Sequence, residues 1–375
     1  MKGPSGEYAS SDAARRLDAF RVTGSSPGSG RPGTPAVAPR RATVRSVPAA
    51  AGVVPLSSTF ALALGGTLSH PEVPYELAGP PGAPVVAVLG GISANRHVAS
   101  NGADARSGWW ESFVGPASII DTDRFRVLGI DYLGQPNTLG DQVLGESPLT
   151  LSPPDQARAL RAVVRHLRLP PLTAVIGSSL GGTVALSFAL HYPKLLHKLV
   201  MLGAAHRPHP MATSLRALQR RIVRFGREVG SPGRALALAR ALAHTTYRSP
   251  AEFAERFDPF PTDGLRPLDF ECDRYLTHNA DRWAERFDID CFLLLSECLD
   301  AANENPSKLT VPTTAISFQD DAVTPSWLVR QLVEQAPEFA CQISIQTRYG
   351  HDAFLKEVDA LAEPLRGALE GASAS

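Results

Sequence analysis

The sequence predicts an α/β fold, in which a mostly parallel β-sheet has helices on both faces and is interrupted by a helical insertion. Two observations support this prediction. From about residue 53 to residue 205, short apolar or β-branched segments alternate with longer segments of helical periodicity. The alternation then stops, and residues 206–305 show helical but no strand character before strands resume. We therefore expect an α/β core formed by residues 53–205 and 306–375, with residues 206–305 inserted as a helical lid.

The strands of the core are predicted from short apolar or β-branched runs bounded by proline, glycine or charged residues. They are Val85–Leu89, Phe125–Ile130, Thr173–Ile176, Leu199–Leu202, Thr313–Ser317 and Cys341–Ile345. Ser152 and Asp155 have the spacing of a helix-capping pair, and apolar residues at helical spacing follow them. The remaining predicted helices are Leu180–His191, Ser214–Arg227, Arg234–Ala243, Ala251–Phe257, Arg274–Leu299 and Ala353–Leu369.

Composition excludes several classes of protein. The chain has 375 residues, of which 43% are hydrophobic, so it can bury a sizeable core and is not disordered throughout. Lys plus Arg and Asp plus Glu both total 37, a balance that gives no support to nucleic-acid binding. Residues 1–52 differ from the rest, because they are rich in Gly, Pro, Ser and Arg and lack apolar periodicity. We predict that they form a disordered basic tail.

Cysteine usage and hydropathy indicate the compartment. The four cysteines form no Cys-x-x-Cys pair and lack the histidine spacing of a zinc site. We therefore expect no bound metal and a reduced, cytoplasmic environment. No apolar run approaches the roughly 18 residues that span a bilayer, and no apolar segment follows the N-terminal charges as in a secretory signal. The sequence thus predicts no membrane association.

The sharpest local motif is Gly177-Ser-Ser-Leu-Gly181, which fits G-x-S-x-G with Ser179 at its centre. A predicted strand precedes it and a predicted helix follows it, as expected for a nucleophile on a tight strand-to-helix turn. In that geometry the backbone N–H of Leu180 points at an oxyanion formed on the serine. The alternative is a glycine-rich phosphate turn, but the chain has neither G-x-G-x-x-G after its first strand nor Gly-Lys-Ser/Thr. We favour the nucleophile.

A serine nucleophile needs a base and an acid that orients the base, and in this fold the acid precedes the histidine in the chain. His351 lies just after the last predicted strand, where parallel sheets place their ligands. Asp320 and Asp321 follow the penultimate strand. We assign Asp321 as the acid, because the turn to Pro325 commonly places the acid a few residues before the proline. Asp320 is then a turn or helix cap.

The second oxyanion donor is expected in the loop after the strand Val85–Leu89. That loop begins Gly90-Gly-Ile-Ser, and its two glycines permit the close backbone approach that an oxyanion requires. We assign the donor to the region of Gly91 and Ile92 without choosing one amide.

Several further segments are more specific than the serine motif. They are Gly108–Pro116, Ile120–Phe125, Leu218–Arg221, Thr246–Ser249, Arg286–Asp288 and Gly350–Leu355. Together they resemble the homoserine O-acyltransferases of the α/β-hydrolase fold, over about residues 54–370. The sequence departs from that family at Leu180, where methionine is usual, and after Asp131–Gly134, where the usual Gly-Ser-Thr-Gly-Pro run is absent.

The resemblance implies transfer of an acyl group from acyl-CoA to the hydroxyl of L-homoserine, in methionine biosynthesis. It implies Ser179, Asp321 and His351 as the catalytic triad of a ping-pong mechanism. It also implies acyl-CoA as a co-substrate with no bound cofactor, and a homodimer formed through lid helices. Arg220 and Asp352 match family positions that hold the carboxylate and the ammonium group of the amino acid.

Several alternatives stay open at this stage. Arg96 lies beside the oxyanion loop and would suit the distal carboxylate of succinyl-CoA, which we favour over acetyl-CoA as donor; solvent exposure is the alternative role. Without the resemblance, Arg220 would be assigned to a solvated helix face. L-Serine is shorter than homoserine by one methylene, a difference of about 1–3 kcal/mol, so the acceptor is not decided. An esterase of the same fold and a non-catalytic binding module are the remaining candidates.

Overall fold

The centre of the computed structural model, which describes residues 47–142, 149–262 and 268–370, is an eight-stranded sheet. In chain order the strands of the molecule are β1 (Ala49–Pro55), β2 (Thr59–Ala61), β3 (Thr67–Ser69), β4 (Glu72–Ala78), β5 (Val85–Leu89), β6 (Val114–Gly115), β7 (Ile120–Asp121), β8 (Arg126–Ile130), β9 (Ala174–Ser178), β10 (Leu199–Leu202), β11 (Thr313–Phe318) and β12 (Ala340–Ile345). The spatial order in the large sheet is β1-β4-β8-β5-β9-β10-β11-β12, and its last six strands run parallel. The short strands form two separate pairs, β2 with β3 and β6 with β7.

Helices connect the parallel strands and cover the sheet. They are α1 (Pro153–His166), α2 (Leu180–His191), α3 (Pro210–Glu228), α4 (Pro232–Tyr247), α5 (Pro250–Arg256), α6 (Glu271–Ala284), α7 (Ile289–Asp300), α8 (Ser326–Gln335), α9 (Ala353–Lys356) and α10 (Val358–Glu370). Helices α3 to α7 all lie between β10 and β11 in the chain. No helix within the described ranges has both the length and the apolar character needed to cross a bilayer.

The apolar residues of the sheet alternate between two buried layers, as the two-residue period of a strand requires. Val85, Ala87 and Leu89 of β5 pack in the layer that contains α1 and α2. Val86 and Val88 pack in the opposite layer, which contains α10. The sheet is therefore covered by helices on both faces, which confirms the predicted α/β class.

Most of the core elements have the predicted positions. Strand β5, helix α2 and strand β10 have the predicted bounds. The capping pair is also present, because the Ser152 N–H and hydroxyl both bond to the Asp155 carboxylate at the start of α1. Strands β1 to β4 were not predicted.

Two helices differ from the prediction. The predicted helix Arg274–Leu299 is two helices, α6 and α7, because the Asp288 side chain accepts the N–H of Cys291 and starts a new helix there. The predicted C-terminal helix is divided between α9 and α10 at Glu357, whose ψ of 63° leaves the helical region. The Glu357 carboxylate accepts a hydrogen bond from Thr347 Oγ1 at 2.6 Å, and this contact stabilises the non-helical conformation of Glu357.

The predicted tail boundary also needs correction. Residues 1–46, which make up most of the predicted tail, lie outside the described residues. Residues 49–52, also assigned to the tail, form the start of β1, where Ala49 pairs with Ala78 of β4. These positions are alanine and glycine, so no apolar alternation marks them as a strand.

The parallel register brings four loops to one edge of the sheet. Ser178 of β9 pairs with Leu202 of β10, which in turn pairs with Ile316 of β11. Strand β12 continues this row, since its Ile343 pairs with Ile316. The loops that leave the carboxyl ends of these strands start side by side, and this is where α/β sheets place ligands.

Candidate active site

The turn between β9 and α2 holds Ser179 in a strained backbone conformation. Its φ of 52° and ψ of −118° lie outside the regions that non-glycine residues usually occupy. A Cβ on Gly177 would lie 2.2 Å from the Gly181 carbonyl oxygen, and one on Gly181 would lie 2.2 Å from the Leu89 carbonyl oxygen. Both positions therefore require glycine, as the G-x-S-x-G motif indicated. Such strain costs about 1–3 kcal/mol and is typical of functional sites.

Ser179, His351 and Asp321 form one hydrogen-bonded chain. His351 Nε2 lies 2.9 Å from Ser179 Oγ, and His351 Nδ1 lies 2.7 Å from Asp321 Oδ2. The other oxygen of Asp321 accepts the N–H groups of Val323 and Thr324, each at 2.8 Å, so the carboxylate is fixed in orientation. His351 and Asp321 are both buried. The structure thus brings together the three residues that the sequence assigned as nucleophile, base and acid.

The surroundings of His351 shift its titration. Burial by itself lowers the pKa of the imidazole, but the charge and hydrogen bond of Asp321, helped by the charge of Asp352, outweigh it. The pKa of His351 is therefore raised above its usual value. A raised pKa makes the imidazole a stronger acceptor for the hydroxyl proton of Ser179.

The assigned oxyanion donors lie around the Ser179 hydroxyl. Leu180 is the first residue of α2, so its N–H has no acceptor within the helix and lies at the positive end of the helix dipole. Gly91 and Ile92 line the same cavity as Ser179, and a Cβ on Gly91 would lie 3.8 Å from the Ser179 Cβ. The loop is held in place because Gly181 N–H and Tyr132 Oη–H both donate to the Gly90 carbonyl, at 2.9 and 2.7 Å.

The cavity over Ser179, which we call the serine cavity, has a volume of about 160 Å³. Its lining includes Asp352, whose carboxylate lies 2.9 Å from Arg248 Nε. Burial raises the pKa of the Asp352 carboxyl above its usual value, although the nearby guanidinium of Arg248 opposes this. The site therefore combines an activated hydroxyl, a base and a partly buried acidic group around a space for a small substrate.

The comparisons agree with this geometry. A family model described as the alpha/beta hydrolase fold matches residues 84–344. A homoserine O-succinyltransferase of Xanthomonas campestris pv. campestris is 36% identical over 295 residues, which cover 79% of this chain and 78% of that protein. A serine O-succinyltransferase of Xylella fastidiosa (strain M23) is 29% identical, covering 84% and 96% of the two chains. The crystal structure of a homoserine O-acetyltransferase from Bacillus anthracis superposes with a TM-score of 0.76 at 17% identity, covering 86% and 97%.

The chain belongs to the homoserine O-acyltransferase family of the α/β-hydrolase fold. It is an acyltransferase. The resemblance seen in the sequence is thereby confirmed at the level of family, fold and enzyme class.

In this acyltransferase, Arg220 follows Arg216 by one turn of α3 and does not line the cavities around Ser179. Its guanidinium is buried and donates to Ser296 Oγ at 2.8 Å and to Asp300 Oδ2 at 2.7 Å. Arg216, one turn earlier on α3, also holds Asp300, with Nε at 2.9 Å from Oδ1. Arg216 and Ser179 line the same two small cavities, whereas Arg220 lines neither of them and does not line the serine cavity.

Arg96 lies in a cavity next to the serine cavity. Its backbone N–H donates to Asp131 Oδ1 at 2.8 Å, and its guanidinium pairs with the other oxygen of the same carboxylate. It lines a larger cavity whose lining shares Ser93 and Arg240 with the serine cavity. The charge of Arg96 is therefore largely balanced by Asp131.

Some residues at the site had no signal in the sequence. Arg240 and Tyr247 of α4 line the serine cavity, and the Tyr247 ring lies 5.9 Å from the His351 ring. The Nε of Arg240 is buried and has no hydrogen-bond partner among the described residues.

A Cβ on Gly203, which has a φ of 54°, would lie 3.4 Å from Asp321 Oδ2. In the sequence, the glycine directly after β10 was the one usable sign that the chain passes close to Asp321 here.

A candidate group for a metal ion lies away from Ser179. Within the described ranges, Glu76, His97 and Asp104 offer ligand atoms within 4.8 Å of one another. These atoms already bond within the protein, since His97 Nδ1 lies 2.9 Å from Glu76 and Nε2 lies 2.8 Å from the Arg106 carbonyl. The group is accounted for by hydrogen bonding.

Proposed function

We propose that this acyltransferase moves a succinyl or acetyl group from a CoA thioester to the hydroxyl of L-homoserine, a step of methionine biosynthesis, through an acyl-Ser179 intermediate. The observation that carries the proposal is the hydrogen-bonded chain of Ser179, His351 and Asp321, which opens on a cavity that also contains Asp352. The name of the Xanthomonas relative supports homoserine as the acceptor and succinyl as the acyl group.

In the first half-reaction, His351 takes the proton of Ser179 Oγ, and the oxygen attacks the thioester carbonyl. The N–H of Leu180 and an N–H of the Gly91–Ile92 region bind the resulting oxyanion, a contribution of about 3–4 kcal/mol per donor in comparable sites. The C–S bond then breaks, and His351 gives the proton to the departing CoA sulfur. Asp321 holds the imidazole in the tautomer that can accept at Nε2.

In the second half-reaction, the homoserine hydroxyl gives its proton to His351 and attacks the acyl carbon. The bond to Ser179 Oγ breaks, and the proton returns from His351 to that oxygen. Water must be kept from the acyl-serine, because its attack would make the enzyme an esterase. Helices α3 and α4 supply walls of the cavities around Ser179 and so restrict its access.

The charged ends of the amino acid set the acceptor site. The carboxylate of Asp352, which is 15% exposed and contacts Arg248, suits the ammonium group. Arg216, Arg220 and Arg224 share two acids, Asp300 and Glu297, so the group has an excess of positive charge for the substrate carboxylate. Arg216 lines the cavity beside Ser179, and we propose that Arg220 acts by holding Asp300 and, through it, Arg216.

We favour succinyl over acetyl as the acyl group. Arg240 lines the serine cavity and has no carboxylate partner among the described residues, so it suits the distal carboxylate of a succinyl group. Arg96, which the sequence suggested for this contact, is paired with Asp131 in the adjoining cavity. It would serve this carboxylate only by exchanging that partner.

Intact-protein mass spectrometry tests the acyl-serine. Incubation with succinyl-CoA or acetyl-CoA, without acceptor, should add one acyl mass to the wild type and none to Ser179→Ala. The matched control is Ser178→Ala, which removes a buried hydroxyl without a hydrogen-bond partner in the described residues, one position from the nucleophile. An acyl adduct on Ser179→Ala would overturn the assignment.

A second assay decides the acceptor. L-Serine is the alternative acceptor, supported by the name of the Xylella relative. Release of CoA is measured for the two thioesters with homoserine, with serine and without acceptor. We expect the highest kcat/KM with homoserine and succinyl-CoA. Release that does not depend on an acceptor would indicate an esterase, and failure of a fluorophosphonate to label Ser179 would indicate a binding module.

A further inference from the structure

A second cavity adjoins the serine cavity, and apart from Arg96 and Arg240 its lining has no part in the chemistry derived above. Its volume is about 750 Å³, within the range of sites for drug-sized ligands. Ser93 and Arg240 line both cavities, so the two meet at these side chains. We call it the arginine cavity, because its lining includes Arg96, Arg240, Arg282 and Arg286.

The charge of the arginine cavity is unbalanced. Its four arginines face two carboxylates, Asp131 and Asp288. Asp131 is bound to Arg96, and the Asp288 side chain caps helix α7. The side chains of Arg282 and Arg286 make no ion pair with any residue in the described part of the chain. Arg282 in the last turn of α6 and Arg286 just after this helix are both exposed, so they are free to meet an anion that arrives from solvent.

The interior of the cavity is suited to a larger organic ligand. Trp283 and Phe287 stack on each other with ring centroids 4.3 Å apart, and both line the cavity. His244 also lines it, is only 9% exposed, and has a buried Nδ1 without a partner among the described residues. Burial, with the charges of nearby arginines, lowers the pKa of His244 to about 3. His244 is therefore neutral and can both donate and accept a hydrogen bond.

We propose that the arginine cavity binds the phosphate-bearing nucleotide end of the CoA donor, with Arg282 and Arg286 on the phosphates. The proposal rests on the proposed function, since it requires a CoA thioester as donor. The pantetheine arm would pass Ser93 and Arg240 to bring the thioester to Ser179. Guanidinium groups bind phosphates through paired N–H donors, and Arg282 and Arg286, which make no ion pair in the described part of the chain, can supply them.

A binding experiment tests the site without catalysis. Adenosine 3′,5′-bisphosphate has the 3′-phosphate and one of the two 5′-phosphates of the nucleotide end of CoA, but no thioester. Calorimetric titration should detect its binding to the wild type and a loss of affinity of at least tenfold in the double variant Arg282→Ala/Arg286→Ala. The single variant Arg221→Ala removes an exposed arginine on α3 and should bind like the wild type. Equal affinity in the wild type and the double variant would overturn the proposal.

Steady-state kinetics separate the phosphate contacts from the rest of the donor. The double variant should raise KM for succinyl-CoA at least tenfold and leave kcat nearly unchanged. With succinyl-pantetheine, which has no phosphate, the wild type and the double variant should have the same KM. An equal rise for both donors would point to a general disturbance of α6 and contradict the phosphate assignment.

Two further outcomes are distinguishable. If neither donor acylates the wild type while adenosine 3′,5′-bisphosphate still binds, the proposed function fails and the nucleotide site stands. If inorganic phosphate competes with adenosine 3′,5′-bisphosphate at similar concentrations, the cavity is a general anion site and the CoA assignment fails. Thermal unfolding of each variant verifies that loss of binding is not loss of fold.

Discussion

Asp321 illustrates how one carboxylate serves two purposes. One oxygen holds His351 Nδ1 at 2.7 Å, and the other caps the turn through the N–H groups of Val323 and Thr324. An asparagine in its place can keep the turn, because its carbonyl oxygen still accepts those N–H groups. Its amide nitrogen would face His351 Nδ1, however, and a donor there favours the tautomer that carries its proton on Nε2.

Asp321→Asn should therefore lower kcat by about a thousand- to ten-thousandfold with little change in stability. Because the pKa of His351 is raised in the wild type, and the base must be neutral, kcat/KM should rise with pH through a midpoint above the usual histidine value. In the variant that midpoint should move to lower pH, since the charge of Asp321 is lost. The measurement is a pH profile of acyl-enzyme formation.

Asp320→Asn is the matched control, because the neighbouring Asp320 is exposed. Its activity and pH profile should equal those of the wild type. If this change lowered kcat as much as Asp321→Asn, the choice between the two acids would be wrong.

The residues of the catalytic triad were predictable from the sequence, whereas the ion-pair partners of Arg220 and Arg96 were not. The triad follows from the G-x-S-x-G motif and from the rule that the carboxyl ends of parallel strands lie at one edge of the sheet. The order of residues in the chain was therefore enough to assign Ser179 and His351. Arg220 is different, because its partner Asp300 lies 80 residues later on another helix. No local pattern predicts such a pairing, nor that of Arg96 with Asp131.

At the scale of elements, several hydrogen bonds fix the conformation of the loop after β5. The Ala94 N–H donates to the Gly91 carbonyl, and Gln135 donates to the Ala94 carbonyl. His97 closes the loop, since both of its ring nitrogens face acceptors, Glu76 and the Arg106 carbonyl. Burial lowers the pKa of His97, but these contacts and the charges of Glu76 and Asp104 raise it by more, so the net shift is upward. The imidazolium is thus the form that the loop favours.

His97→Gln should lower the free energy of unfolding by about 2 kcal/mol at pH 6, the typical value of a hydrogen bond to a charged group. A group whose pKa is raised on folding stabilises the protein below its unfolded-state pKa and ceases to do so above its folded-state pKa. The difference between variant and wild type should therefore shrink as the pH rises towards 9. Urea unfolding at several pH values measures it.

The exposed His278 of α6 supplies the control. His278→Gln should leave the free energy of unfolding unchanged at every pH value measured. A stability difference for His97→Gln that grew with pH would contradict the charged form of His97.

The elements themselves were predicted where apolar periodicity was strong. Strand β5 is apolar throughout and helix α2 is mostly apolar, and both had clear bounds. The break between α6 and α7 was missed, because Arg286 and Asp288 are compatible with a helix and only the bond from the Cys291 N–H to Asp288 marks the start of α7. Strand β1 was missed because alanine and glycine have no strand signal, and its pairing with β4 supplies the order.

At the scale of the whole molecule, helix α3 has an apolar stripe on its outer side. Met211, Leu218 and Phe225 recur every seven residues and are 60%, 48% and 62% exposed. Large apolar side chains grouped in this way mark contact surfaces more often than isolated ones do. We propose that a second copy of the chain covers this stripe, which would give the homodimer that the family resemblance implied.

Phe225→Glu should therefore convert a dimer to a monomer, because it places a charge in an apolar contact. Light scattering coupled to size-exclusion chromatography measures the mass at several concentrations. Leu64→Glu is the control, since Leu64 is 60% exposed in the turn between β2 and β3, away from α3 in the chain. A wild type that is monomeric at micromolar concentration would contradict the proposal.

The helical insertion between β10 and β11 begins and ends at two strands that are adjacent in the sheet. It contributes Arg216, Arg240 and Tyr247 to the walls around a hydroxyl that belongs to the sheet. Since its two ends are neighbours, this stretch can be lengthened, shortened or replaced over evolutionary time without moving Ser179 relative to His351. Descendants of such a protein can thus change what they accept while inheriting the same reaction.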